Sequence, residues 1–238
     1  MARDELRVVA IDGIGEIREG DVVADLVADA AARQNVPLAD DDCLVVTQKI
    51  VSKAEHRIVP FDASDPDAKR RLVEQEAVRV LRRRGELLIT ETRHGFICAN
   101  SGVDLSNVEE GTAALLPVDS DRSARRIRDR LAARYGVSVA VVISDTFGRP
   151  WRRGLTDVAI GVAGIAGVED LRGHDDARGR ELQATEVAIA DEVASAAELV
   201  MGKSDGVPAA IVRGLHRDWF RDGSVHELVR PPAEDLFR

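Results

Sequence analysis

Hydrophobic and polar positions follow two periods along this chain, and each change of period marks an element. Leu6-Arg7-Val8-Val9-Ala10-Ile11 predicts a strand. Val22, Val23, Leu26, Val27 and Ala30 fall at helical spacing and predict a helix over 21–34, opening near Asp21 and stopped by Asn35-Val36-Pro37. Cys43-Leu44-Val45-Val46 predicts a strand buried on both faces, since no polar residue alternates within it. Residues 65–84, with Leu72, Val73, Val78 and Leu81, read as one charged amphipathic helix. Leu87-Leu88-Ile89-Thr90 is a further strand, 123–135 a basic helix ending at Gly136, and Val141-Val142-Ile143 a second doubly buried strand. Strand, helix and strand over 113–143 suggest a βαβ unit, so at least part of the sheet is parallel. Residues 158–164 are small and apolar, as in a strand or close-packed segment. An Ala-rich helix is predicted from Gly179 to Leu199, and a strand over 209–212. The tail from His216 has no clear period, and Pro231-Pro232 mark it as a linker or wrapping arm.

The bulk numbers narrow the class. A chain of 238 residues buries a substantial core, and no apolar run approaches the ~20 residues of a membrane span. Met1-Ala2-Arg3-Asp4-Glu5 leads directly into strand-like sequence without an apolar leader, so a cytoplasmic location is expected. Cys43 and Cys98 are too few and too far apart for a zinc motif and are expected as core thiols. The net charge of −9 argues against broad nucleic-acid binding, and local basic clusters are read locally.

Polar residues gather where strands end. Ser144, Asp145 and Thr146 follow the strand at 141–143, and Arg149, Arg152 and Arg153 follow with Pro150, Trp151 and Gly154 among them. A carboxylate there offers a hard oxygen to a metal, and forked guanidiniums suit phosphate or carboxylate; the plain alternative is a strand end with a solvated basic turn. If residues 48–55 are helical, Lys49 and Lys53 share a face that would hold an anion or simply meet solvent. Gly13-Ile14-Gly15-Glu16 lets backbone amides approach a ligand, although Gly-x-Gly also occurs in ordinary turns. The irregular stretch 93–108 includes Asp104 and Asn107, with Asp104 also suited to an Asx turn. Gly202-Lys203-Ser204 lacks the earlier glycine and following helix of a Walker loop, yet its turn can wrap phosphate or a base.

Several of these stretches together resemble the coenzyme F-420 glutamate ligases. The resemblance is carried by Leu44-Val45-Val46-Thr47-Gln48-Lys49-Ile50-Val51-Ser52-Lys53-Ala54-Glu55, Arg93-His94-Gly95-Phe96, Asn100-Ser101-Gly102-Val103-Asp104-Leu105-Ser106-Asn107, Ser144-Asp145-Thr146-Phe147-Gly148-Arg149-Pro150-Trp151-Arg152 and Met201-Gly202-Lys203. It implies an enzyme that attaches L-glutamate to a deazaflavin cofactor precursor and extends it by γ-linkage, using GTP through an acyl phosphate. A different carboxylate–amine ligase or phosphotransferase, or a non-catalytic nucleotide-binding module, is the alternative. The implied fold is α+β, with a mixed sheet and partly parallel connections, two closely associated subdomains over 1–215, an arm or linker over 216–238, and an intertwined homodimer. The ending is similar to the segment that, in two-domain members, leads into a flavin-binding half.

Site roles follow from the same resemblance. Asp104, Asp145 and Thr146 would ligate a divalent metal, Mg2+ or Mn2+, with K+ as a further candidate ion. Gly13, Ile14, Gly15, Glu16, Gln48, Lys49, Lys53, Asn107, Met201, Gly202, Lys203, Ser204, Asp205, Gly206, Val207 and Pro208 would form the GTP site. Asp104, Asp145 and Lys53 would carry catalytic roles. For Arg149 and Arg152 the resemblance gives a motif position without a role; their forked guanidiniums, just beyond the metal ligands, are assigned to the acidic substrates on chemical grounds.

Overall fold

The computed structural model describes residues 5–236. The first four residues and the last two of the predicted arm lie outside it. In chain order the elements are β1 (Arg7–Ala10), α1 (Val23–Arg33), β2 (Cys43–Thr47), α2 (Gln48–Ala54), β3 (Ile58–Pro60), α3 (Ala68–Glu76), β4 (Ala77–Arg84), β5 (Leu87–Thr92) and β6 (Ile97–Ala99). They continue with β7 (Thr112–Ala114), α4 (Ser120–Tyr135), β8 (Ala140–Gly148), β9 (Leu155–Ala163), β10 (Glu169–Asp170), β11 (Glu186–Val187), α5 (Ile189–Met201) and β12 (Ala209–Arg213).

A five-stranded mixed sheet in the order β1-β12-β2-β8-β9 forms the frame. Only β2 and β8 run parallel; the other neighbours are antiparallel. The apolar runs in β2 and β8 are buried on both faces, as their composition requires. Leu44, Val46, Val141 and Ile143 pack with Val27 of α1 and Leu131 of α4, while Cys43, Val45, Ala140 and Val142 meet Val193 and Ala197 of α5 on the other face. Cys43 and Cys98 are free, buried thiols, and burial pushes Cys98 up to about 12.

Close packing at β9 depends on one glycine. A Cβ on Gly161 would lie 2.6 Å from the backbone of Ser120, so the start of α4 approaches the strand as nearly as it does only because the side chain is missing. Asp121 completes that seam, its carboxylate accepting the Val162 amide at 2.8 Å.

Beside the frame lie the antiparallel sheets β4-β5-β6 and β3-β7, gathered around Val73, Leu88, Val103, Ala113 and Leu115. Phe96 connects this region to the frame by an edge contact with Phe147 of β8, ring centres 6.1 Å apart.

Several expectations need correction. The helix predicted over 65–84 ends at Glu76, and Ala77–Arg84 is strand. Val78-Arg79-Val80 already alternates, and Gly85-Glu86 forms a two-residue turn that pairs Arg84 with Leu87, a hairpin signal outweighed in the sequence by charge at helical spacing. The Ala-rich helix begins at Ile189, ten residues later than predicted. Gly179 takes φ 73° and the Asp176 carboxylate accepts the Arg178 and Arg180 amides, so local turn bonds displace helix there. Asp21 does not cap α1; its carboxylate accepts the Arg18 amide and α1 starts after Val22. The strand before α4 pairs with β3 rather than entering the main sheet, and the parallel partner of β8 is β2. The tail has no regular period but is held down: Val225 is buried in the core, and Leu228 and Val229 pack against it.

Candidate functional site

The frame places most of the predicted polar stretches at one edge. β2 and β8 are parallel, and Thr47 at the C-terminal end of β2 is the register partner of Ser144, after which β8 runs on to Gly148. β12 is antiparallel to β2 and enters the sheet there, with the Thr47 amide donating to Pro208 at 2.9 Å. β1 is antiparallel to β12 and leaves there, with Ala10 opposite Ala210. β9 enters beside β8, with Asp157 opposite Thr146. Residues 13–16, α2, the end of β8 and the loop 202–208 therefore converge, although 188 residue positions separate Gly13 from Met201.

The carboxylates differ in environment. Asp104 lies in an irregular segment tied to Ala114 by two backbone bonds, and its Oδ1 accepts the Ser106 amide at 2.7 Å, the Asx turn anticipated from sequence. Its Oδ2 lies 2.8 Å from Lys49 Nζ, which also donates to the Ser106 carbonyl. Burial opposes ionisation, but the Lys49 ammonium and Ser106 outweigh it and hold Asp104 below the ordinary carboxylate range. Asp145 has no such cation bonded to it. Burial pushes it up to about 7; the Thr146 amide and the charge of Lys203 pull it down, while the charges of Asp157 and Asp104 push it up further.

A register shift between Ile143 and Ser144 precedes these residues, an irregularity of the kind that re-aims side chains beside functional sites. Ser144 and Thr146, two positions apart, share a strand face and both donate to Asp157, at 2.9 and 2.6 Å.

The other predicted residues have more varied surroundings. Lys53 pairs with Glu16. Gln48 is turned inward and accepts from Ser52 at 2.8 Å, so its side chain belongs to the interior. Ile14 and Met201 are buried, leaving at most their backbones for a ligand. Gly13 and Gly15 have positive φ in an exposed loop braced by Arg33 on the Gly13 carbonyl. Asn107 is exposed with φ 52°. Gly202 follows α5 at φ 62°, where a Cβ would strike the Asp205 carboxylate at 2.4 Å, and Ser204 donates to Asp205. Lys203 reaches back to Asp157 at 3.1 Å, while Gly206 is exposed and Val207 half-buried.

The arginine loop divides in two. Arg149 donates to the Arg153 carbonyl at 2.7 Å and so braces its own turn, whereas Arg152 is exposed with no side-chain partner among the described residues. Trp151, at the tip, is exposed with φ 65°.

Among the described residues, no group of three or more His, Cys, Asp or Glu side chains is arranged to hold a metal. The donors at hand still suit a hard divalent cation: Asp145 is a carboxyl whose ionisation burial and the neighbouring carboxylates oppose, and Asp104 and Thr146 add oxygens. A cation on Asp104 would compete with Lys49, and phosphate or water oxygens would complete the shell. Sequence reasoning missed Asp157 and Glu198. Asp157 was visible as the one acid in Leu155-Thr156-Asp157-Val158-Ala159-Ile160, a strand in which a charge must find partners.

Fold and site together define a mixed-sheet protein whose loops bring carboxylates, lysines and a hydroxyl to one sheet edge, the equipment of an enzyme that handles anionic groups. The sequence profile of the F420-0:Gamma-glutamyl ligase family matches residues 13–214, and the chain belongs to that family. It is 42% identical to the coenzyme F420:L-glutamate ligase of Methanothermobacter thermautotrophicus over 98% of this chain and 99% of that protein. The ligase of the same name from Methanopyrus kandleri is also 42% identical, over 98% of each. That of Methanocaldococcus jannaschii matches at 42% over 85% of this chain and 86% of its own. No helix among the described residues is long and apolar enough to cross a membrane.

Proposed function

We propose that the protein joins L-glutamate to the carboxylate of a deazaflavin F420 precursor, with GTP as the energy source, and extends the product by γ-linkage. The observation that carries this reading is near-full-length kinship with proteins named for that activity, on a chain whose matching motifs meet at one sheet edge.

The residues suit a route without a protein nucleophile. A carboxylate is a poor acyl donor, so the precursor's carboxylate oxygen attacks the GTP γ-phosphorus and GDP leaves. The glutamate amine then attacks the acyl carbon and phosphate leaves. Such transfer depends on positioning and charge neutralisation. Lys49, Lys53 and Lys203 lie where phosphates would enter between α2 and the loop after α5. Asp104, Asp145 and Thr146 would hold Mg2+ or Mn2+, which when bound neutralises charge on the phosphate oxygens. Gly13 to Glu16 and residues 202–208 would enclose the nucleotide by their backbones, and Arg152 would meet an acidic substrate.

Incubation with GTP, Mn2+, L-glutamate and the precursor, followed by mass measurement, tests the reading. The expected result is a precursor heavier by one or more glutamyl units, with GDP and phosphate released only when both acceptor and glutamate are present. GTP binding without turnover would leave a nucleotide-binding module, and glutamylation of other acids alone would leave a ligase of different substrate.

A further inference from the structure

Asp157 has no part in the route just described, yet it is the most highly connected acid at the site. It is 2% exposed at the start of β9. Its Oδ1 accepts both the Thr146 hydroxyl, at 2.6 Å, and the Lys203 ammonium, at 3.1 Å; its Oδ2 accepts the Ser144 hydroxyl at 2.9 Å. Its backbone is fixed as firmly. The amide donates to Glu198 at 3.0 Å and the carbonyl accepts Ser195 at 2.8 Å, both from α5, and Glu198 also lies 3.5 Å from Lys203.

We propose that Asp157 is a positioning residue that fixes the Thr146 hydroxyl and the Lys203 ammonium relative to one another, and so sets the spacing between the metal ligand on β8 and the phosphate loop after α5. The inference rests on the functional reading above for the roles of Thr146 and Lys203.

Two physical arguments support it. A carboxylate can only accept, so the Thr146 hydroxyl spends its proton on Asp157 and its lone pairs remain for a cation, with added electron density from the charged acceptor. Lys203 sits on an exposed turn and its own chain is flexible, so without an anchor its ammonium would sample many positions. Sharing Oδ1 with Thr146 confines it to one. Both hydroxyl and ammonium are then placed before any ligand arrives, which lowers the ordering cost of binding.

The test is Asp157→Asn, which keeps the shape and removes the charge, compared with Ser144→Ala, which removes a contact to the same carboxylate on the side away from Thr146 and Lys203. Mn2+ affinity is measured by electron paramagnetic resonance of free Mn2+, with a non-hydrolysable GTP analogue present. Loss of a group that supports a metal ligand weakens metal binding by roughly ten- to a hundredfold. Asp157→Asn is expected to fall in that range, and Ser144→Ala within about twofold of wild type on the same basis, since it leaves Thr146 supported. In a Thr146→Val background, Asp157→Asn should add little further loss, because it acts through the hydroxyl already removed. Wild-type affinity in Asp157→Asn, equal losses in Asp157→Asn and Ser144→Ala, or fully additive losses with Thr146→Val would each overturn the proposal. So would failure of Asp157→Asn to fold by circular dichroism, which would make Asp157 a residue of the core. Absence of Mn2+ binding by the wild-type protein would overturn the functional reading as well.

Discussion

Lys49 and Asp104 come from segments 55 positions apart and meet as an ion pair of 2.8 Å, the lysine also bonded to Ser106. The pair links α2 to the irregular segment that β7 holds at Ala114. It also sets two ligands in competition, because a cation on Asp104 and the Lys49 ammonium need the same oxygen. Lys49→Met is therefore expected to raise Mn2+ affinity severalfold without nucleotide and to lower GTP affinity by about tenfold, roughly 1.4 kcal/mol. Isothermal titration of each ligand alone reads both, and parallel changes would show that the lysine does not exchange partners.

Asp145 ties stability to the site. Its carboxyl titrates at about 7 in the folded protein against 3.8 for an ordinary aspartate, so between those values the folded chain keeps a proton that the unfolded chain releases. Its contribution to stability falls as pH rises through that window. Asp145→Asn should abolish turnover and, with chelator present, be more stable than wild type at pH 8 by on the order of 1–2 kcal/mol, less than the full shift because the buried amide also loses hydration. The gain should vanish near pH 4. A variant less stable at both pH values would reverse the sign.

The two arginines of the β8–β9 loop should separate in kinetics. Arg152→Lys replaces an unpaired fork by a point charge and should raise KM for the precursor or glutamate by about tenfold, with GTP affinity unchanged. Arg149→Lys removes the brace on the Arg153 carbonyl and should lower kcat instead, through a looser loop. Steady-state kinetics with each substrate varied will distinguish them, and indifference of both would take the loop out of the site.

Away from the site, Asp42 is fully buried and accepts two bonds from Arg213, at 2.6 and 2.7 Å. Arg213→Met leaves that carboxylate uncompensated, a loss of about 3–5 kcal/mol. Urea unfolding should show it; a loss below about 1 kcal/mol would mean water replaces the guanidinium.

The homodimer implied by the family resemblance is expected to matter for activity. Light scattering across a dilution series should show activity falling with dimer content, and a fully active monomer would refute the dependence.

The sequence was most legible where one physical rule acted alone. Unbroken apolar runs at 43–46 and 141–143 read as doubly buried strands, and they are. Glu76 and Ala77 mark where it failed, because residues 65–84 satisfy helical spacing and strand alternation in turn, and only the two-residue turn at Gly85-Glu86 decides. The site was partly legible. Long motifs singled out Asp104 and Asp145 as candidates, but Asp157 has no motif of its own, and its connections come from three donors on two separate segments, β8 and the loop after α5.

The main sheet also determines how the molecule can be handled. Arg7 and Arg213 are register partners, so the chain enters β1 and leaves β12 at the edge opposite the converging loops. A tether or a fused fluorescent protein attached ahead of β1 leaves the rim of converging loops facing open solution. Immobilised through it, the protein would present its loops outward, an orientation suited to surface-based binding assays.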